Sequence, residues 1–242
     1  TRSVSGSVFS CQEGLVVIDA GEGFQMRYSK QRSRLKQENE PALLRPNRIV
    51  AVALTHGHLD HTWGLLPFLQ TLSLDGRQQP LVVYGPTSNL ILDALEASGI
   101  DAKLPEGTPS AELLNQYRSW FSLGGTAGHL GYPIRWLLGD PQSGRWVEFT
   151  DNATNLVWHN SMPQPEAFTS FRLDPISTSH SVPSCAWQLL RKERKGAFDR
   201  DKATLAGLNQ DERKQLSEGI DLERDNGDTL QASQFRGPAK PA

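Results

Sequence analysis

The chain has 242 residues, 37% of them hydrophobic, with 21 Gly, 15 Pro and a formal net charge of −2. That length buries a full core as one domain with insertions, and no apolar run approaches the ~18 residues of a membrane span. The charge excludes wholesale coating of nucleic acid but leaves room for a local basic patch, and two cysteines, Cys11 and Cys185, point to a reducing, cytoplasmic compartment.

Residues 4–10 alternate weakly and Gly14-Leu15-Val16-Val17-Ile18-Asp19 reads as a strand, the two making a hairpin turned near Gln12-Glu13. The strand runs into Asp19-Ala20-Gly21-Glu22-Gly23-Phe24-Gln25, where two glycines around a Glu predict a tight loop before a helix. Gln25 to Gln37 reads as a polar helix. Seven basic residues between Arg27 and Arg48 stand against Glu38 and Glu40. Arg27, Lys30 and Arg34 are therefore either part of a solvated face or a track for phosphates.

Ile49-Val50-Ala51-Val52-Ala53-Leu54 is a continuous apolar run, read as a buried strand, and Trp63 to Leu69 opens a helix. Between them, Thr55-His56-Gly57-His58-Leu59-Asp60-His61 places three His and one Asp within six positions on a strand-to-helix turn. Neutral nitrogens and a hard oxygen suit Zn²⁺ or a similar divalent ion. His56 and His58, two apart in a tight turn, can grip one ion; Asp60 and His61 point elsewhere and can grip a second. The bland reading is a solvated His-rich loop.

Pro80 to Pro86 is a further buried strand, followed by a helix from Ser88 to about Ser98. From 101 to about 170 come Trp120, Trp136, Trp146 and Trp158, read as core rather than as base-stacking platforms. Residues 145–149 and 155–159 read as short strands. Gly124-Gly125-Thr126-Ala127-Gly128-His129 lacks the Lys-Ser/Thr ending of a phosphate loop and reads as a turn. His129 and His159 have no partner spacing and are expected to be structural or on the surface. An extended segment then delivers His180, Cys185 to Leu190 continues as a strand, and charged helical sequence runs from Asp199 to Glu218.

His-x-His-x-Asp-His after a strand resembles the metal signature of the metallo-β-lactamase superfamily, an α/β fold built as an αββα sandwich that carries one or two metals. Thr55 to Leu65, Asp19 to Gln25, Tyr84-Gly85-Pro86 and His180-Ser181-Val182-Pro183-Ser184 are similar to the ribonuclease Z branch, endonucleases that trim the 3′ trailer of precursor tRNA. The resemblance implies a first zinc on His56, His58 and His180, and a second on Asp60 and His61, with Mn²⁺ or Mg²⁺ as alternatives. Asp60 then belongs to the catalytic set, and Asp19 orients a ligand His through its free ring nitrogen, unless it is merely a helix N-cap. A hydroxide shared by two ions would attack the scissile phosphorus and leave a 3′-hydroxyl tRNA and a 5′-phosphate trailer. Precursor tRNA is the implied partner, a small phosphodiester the alternative, with no membrane and a homodimer expected.

Against that pattern, residues 101–170 read as an insertion and 191–235 as a shortened or altered substrate arm, without the family's Gly-Pro and Gly-Lys-Leu signatures. The family's bridging Asp and late His are expected further on. Asn226-Gly227-Asp228-Thr229 sits in a charged loop or hairpin rather than a buried strand, and no His follows His180. The chain is accordingly expected to be a fragment clipped at both ends, largely the N-terminal half of the sandwich and inactive by itself. Two alternatives stay open: another hydrolase on this scaffold, acting on a cyclic nucleotide, sulfate ester or thioester, and a non-catalytic relative.

Overall fold

The computed structural model describes residues 4–41, 43–123, 130–150, 155–192, 196–224 and 227–237. The glycine-rich turn with His129, and Asn226, lie outside the described residues. The chain forms two compact units, Thr1–Leu189 and Leu190–Ala242.

In the first unit, β1 (Ser7–Cys11) and β2 (Gly14–Ile18) form the antiparallel hairpin turned at Gln12-Glu13. Next come β3 (Ile49–Ala53), β4 (Leu81–Pro86), β5 (Ile134–Gly139), β6 (Trp146–Thr150) and β7 (Asn155–His159). All seven lie in one sheet in sequence order. Strands β2 to β5 run parallel and the outer pairs antiparallel. A parallel strand is covered on both faces, which is why β3 and β4 read as unbroken apolar runs.

Helices cover one face: α1 (Phe24–Gln37), the short α2 (Leu59–Thr62), α3 (Leu65–Leu74), α4 (Asn89–Ser98) and α5 (Leu113–Ser122). Leu15, Val17, Val52, Leu81 and Val83 meet Phe24, Phe68, Leu92 and Tyr117 there. On the other face Val16, Ala53, Val82 and Tyr84 pack against Leu173, Cys185 and Trp187. Those last three belong to β8 (Phe171–Thr178) and β9 (Ser184–Arg191), a separate two-stranded sheet. The layers are thus helix, sheet and a second, smaller sheet. Each fully buried large side chain contributes about 1.5–3 kcal/mol. Glu13 ties the layers together from the first hairpin, accepting from the Thr169 hydroxyl and from the backbone N–H groups of Thr169, Ser170 and Phe171. These bonds hold its carboxyl down at about 2.

Residues 101–170 supply α5 and three of the seven strands, so they are built into the sheet. The tryptophans explain it: Trp136 lies in the helix-side core and Trp146 in the opposite one.

The second unit is small, with α6 (Arg200–Leu205), α7 (Gln210–Glu218) and a hairpin of β10 (Leu222–Glu223) and β11 (Thr229–Leu230). Its core is Ala203, Leu208, Leu216, Ala232 and Phe235. Asp199 caps α6, and Asn209 with Glu212 makes a capping box on α7. Asp228 lies exposed in the turn of this hairpin, just before β11.

Candidate metal centre

The site forms where β3 ends. Leu54 N–H still donates to the Tyr84 carbonyl, and the chain then leaves the sheet through Thr55 to His58 before α2 begins. A Cβ on Gly57 would collide with the carbonyl oxygen of Ala111, and one on Gly21 with the carbonyl oxygen of Asp60. Glycine at both positions lets the loops pack against each other. Ala20 N–H donates to the His61 carbonyl and Gly64 N–H to the Ala20 carbonyl, both at 2.8 Å, so the loop after β2 is stitched to α2.

His180 arrives from the opposite layer, in the turn between β8 and β9. Cys185 N–H donates to the Thr55 carbonyl and the Trp187 indole N–H to the Leu54 carbonyl, each at 2.9 Å. These bonds fasten β9 to the end of β3 and bring the His180 turn over the loop. Ligand atoms of His56, His58 and His180 all lie within 4.8 Å of one another. His58 Nδ1 and His180 Nε2 are 3.2 Å apart. Two nitrogens bound at 2.0–2.1 Å to one tetrahedral ion sit ~3.3 Å apart, so this pair fits a zinc-sized ion.

His56 is 8% exposed. Burial, then the neighbouring His61 and His58 rings, push its pKa down to about 4. Its ring is neutral at physiological pH, the form that binds a metal.

Asp19 is the hub beneath the histidines, 2% exposed. Its backbone is left-handed (φ 58°), a conformation Asp tolerates better than most residues. Its carboxylate accepts from Ser5 Oγ (2.9 Å), Thr55 N–H (2.7 Å) and Thr55 Oγ1 (2.9 Å), and lies 2.7 Å from His61 Nδ1. With the proton on Nδ1, His61 keeps Nε2 for a metal. Thr55 Oγ1 is also 2.9 Å from His56 Nδ1, so Asp19 reaches a second imidazole through that hydroxyl. Asp19 does not cap α1, whose N-cap is Gly23 with no side-chain bond. Asp60 is 66% exposed with its carboxylate 3.8 Å from His61 Nε2.

The structure separates the basic residues of α1. Arg27 reaches the Val4 carbonyl at 3.4 Å, near the loops of the site. Arg34, two turns further along, pairs with Glu38 at 2.9 Å, and Arg32 pairs with Asp75. His159, on β7 four strands from β3, sits 3.2 Å from Glu148, whose carboxylate accepts from Arg135 Nε and one terminal nitrogen.

Gln116 on α5 is a site residue that sequence reasoning passed over. Its amide nitrogen donates to the Gly57 carbonyl and its amide oxygen accepts from Thr62 Oγ1 at 2.7 Å. One side chain thus clamps both ends of the His56–His61 segment. Its only sequence signal was a polar position between the buried Leu113, Leu114 and Tyr117. Gln116→Leu should cost about 1–3 kcal/mol in thermal unfolding, because it orphans groups the clamp now satisfies. It should also weaken divalent-ion binding about 10–100-fold, as loss of an orienting partner does. Unchanged zinc affinity in a competition titration would show that the loop holds its shape without the clamp.

The metallo-beta-lactamase superfamily profile matches residues 8–115. Ribonuclease Z of Pyrococcus abyssi is 24% identical over 246 residues, covering 99% of this chain and 59% of its own. Zinc phosphodiesterase ELAC protein 1 of Mus musculus is 26% identical over 243 residues, 95% of this chain and 59% of its own. Ribonuclease Z of Pyrococcus furiosus is 31% identical over 142 residues, 55% of this chain and 43% of its own. The chain thus spans about half the length of the curated relatives it matches. Among solved structures it is similar to human tRNase Z, short form, at 21% identity and a TM-score of 0.39, over 80% of this chain and 61% of that one.

Proposed function

We propose that this chain, whose residues 8–115 match the metallo-beta-lactamase superfamily, carries the histidine side of a metal-dependent phosphodiesterase site. We infer further that the whole protein is an endonuclease of the ribonuclease Z kind, acting on the 3′ end of precursor tRNA. The observation that carries the reading is the convergence of His56, His58 and His180 from two layers of the fold, above a carboxylate that orients His61. The relatives' names support RNA as substrate.

His56, His58 and His180 would hold the first ion, and three imidazoles favour zinc over magnesium or calcium. When bound, a divalent ion supplies Lewis-acid polarisation of a phosphoryl oxygen and lowers the pKa of water to near neutrality. The chain's own residues do the rest. Asp19 fixes the tautomer of His61 and, through Thr55, of His56. Asp60, exposed beside His61, offers an acceptor to a second ion or to a proton leaving the nucleophile. Arg27 and Lys30 lie on the half of α1 nearer the site and would meet substrate phosphates. Arg34 adds less to such a track because Glu38 already compensates it.

The test uses the whole protein loaded with Zn²⁺, Mn²⁺ or Mg²⁺ in turn, offered a 3′-extended tRNA, a small aryl phosphodiester, a thioester and a sulfate ester. Endonucleolytic cleavage of the tRNA extension, lost with His58→Ala, is the expected result. Turnover of the thioester or sulfate ester alone would replace this reading with another hydrolase. Tight metal uptake without any turnover would make the protein a binding relative.

A further inference from the structure

Alongside the metal loop runs a groove of about 610 Å³, walled by Leu59, Trp63, Leu66, Trp120 and Leu123 with Asn115 among them. Its volume is that of pockets for small organic groups, roughly 300–1,000 Å³. Trp63 is 63% exposed, and Leu59 and Leu123 are also exposed. Single exposed apolar side chains are ordinary, but here three of them line one groove. The groove is continuous with the metal loop. Leu59 follows His58 directly, Trp63 lies two residues beyond His61, and the clamped pair Thr62 and Gln116 also line it.

We propose that this groove is a stacking subsite for one unpaired nucleobase flanking the phosphodiester to be cleaved, an inference that rests on the phosphodiesterase reading above. None of the lining residues is charged, so the groove is built for a flat neutral group and not for a phosphate. The exposed indole of Trp63 offers a face to stack on, which is sequence-tolerant because every base has one. Among the described residues the Asn115 side chain makes no hydrogen bond, which leaves its amide donors and acceptor for a base edge. A protein partner seated in the groove would crowd the loop that the substrate must reach. A single base would not.

The test measures binding of the whole protein to a short single-stranded RNA and to versions with one abasic nucleotide moved position by position. One abasic position should weaken binding about 5- to 150-fold, the range of a base–aromatic stack. Trp63→Ala should weaken binding of the intact RNA by a similar factor, and the two losses should not add. Trp63→Phe should restore most of the affinity, and Asn115→Ala should flatten preference among bases at that position. Trp63 is exposed, so neither of its substitutions opens a core cavity.

Tolerance of an abasic nucleotide at every position, additive losses, or no measurable RNA binding would overturn the proposal. So would a dimer that Trp63→Ala converts to monomers with RNA affinity intact, since the groove would then seat a second copy. Zinc uptake and small-phosphodiester hydrolysis by the unsubstituted protein report on the metal centre separately. If both persist while the abasic series is flat, the groove reading fails alone.

Discussion

His180→Ala is expected to abolish tight binding of a divalent ion. Structural zinc sites gain about 10–16 kcal/mol from four ligands, so one imidazole is worth on the order of 3 kcal/mol, or 100-fold or more in affinity. His58→Ala should do the same, because the two rings contribute a ligand pair 3.2 Å apart. His159→Ala is the control: that ring belongs to the Glu148–Arg135 pair and should leave metal content unchanged. Stability should follow. An ion at 100 times its Kd stabilises the folded state by about 2.7 kcal/mol, so a chelator should lower the Tm of the unsubstituted chain and leave that of His180→Ala where it was. Zinc stoichiometry by elemental analysis checks the premise. One tightly held ion per chain is expected, since His56, His58 and His180 are the three-donor cluster found among the described residues. Equal affinity in His180→Ala would mean that the turn between β8 and β9 only covers the loop.

Asp19→Ala should be the most destabilising single change near the site, on the order of 3–5 kcal/mol. It removes a buried carboxylate that satisfies four groups, and leaves the Thr55 N–H and the Ser5 and Thr55 hydroxyls with donors unpaired. Alanine also tolerates the left-handed backbone poorly, a further 1–2 kcal/mol or so. Asp19→Asn separates the two roles. Asparagine accepts that backbone conformation and nearly the same volume, so the fold should survive. An amide is a weaker acceptor for the His61 Nδ1 proton, and metal affinity should fall about 10–100-fold. Denaturant midpoints and zinc titrations on the two variants read stability and affinity independently. Unchanged affinity in Asp19→Asn would reduce Asp19 to a structural tie between loops.

Short-range features of this chain were open to reading. The first hairpin declared itself by alternation and a polar turn, β3 and β4 by unbroken apolar runs, and Leu222 to Leu230 as a charged loop or hairpin rather than a buried strand. Each depends on contacts close in sequence or on a strand buried on both faces, and such patterns survive without knowledge of partners. The segment containing α5 and β5 was less legible. Ile134–Gly139 holds Arg135 amid apolar residues, and Arg135 is tolerable there only because Glu148 on the next strand takes its guanidinium in a bidentate pair. Gln116 was hidden for a similar reason: its partners Gly57 and Thr62 lie more than fifty positions away, and an isolated Gln on a helix is usually solvated.

What sequence alone determined was the chemistry of the donors. Three imidazoles and a carboxylate packed into six positions after a buried strand suit a borderline divalent metal, because ligand preference is a property of the atoms. Tertiary structure decided which donors come together and how each is aimed. His180 becomes a neighbour of His56 and His58 only because β9 hydrogen-bonds to the end of β3 through Cys185 and Trp187. Asp19 reaches two rings only because its left-handed backbone turns the carboxylate under Thr55. Coordination would need nitrogens placed to within a few tenths of an ångström, and in this chain the donors are placed by bonds between segments 36 to 133 residues apart.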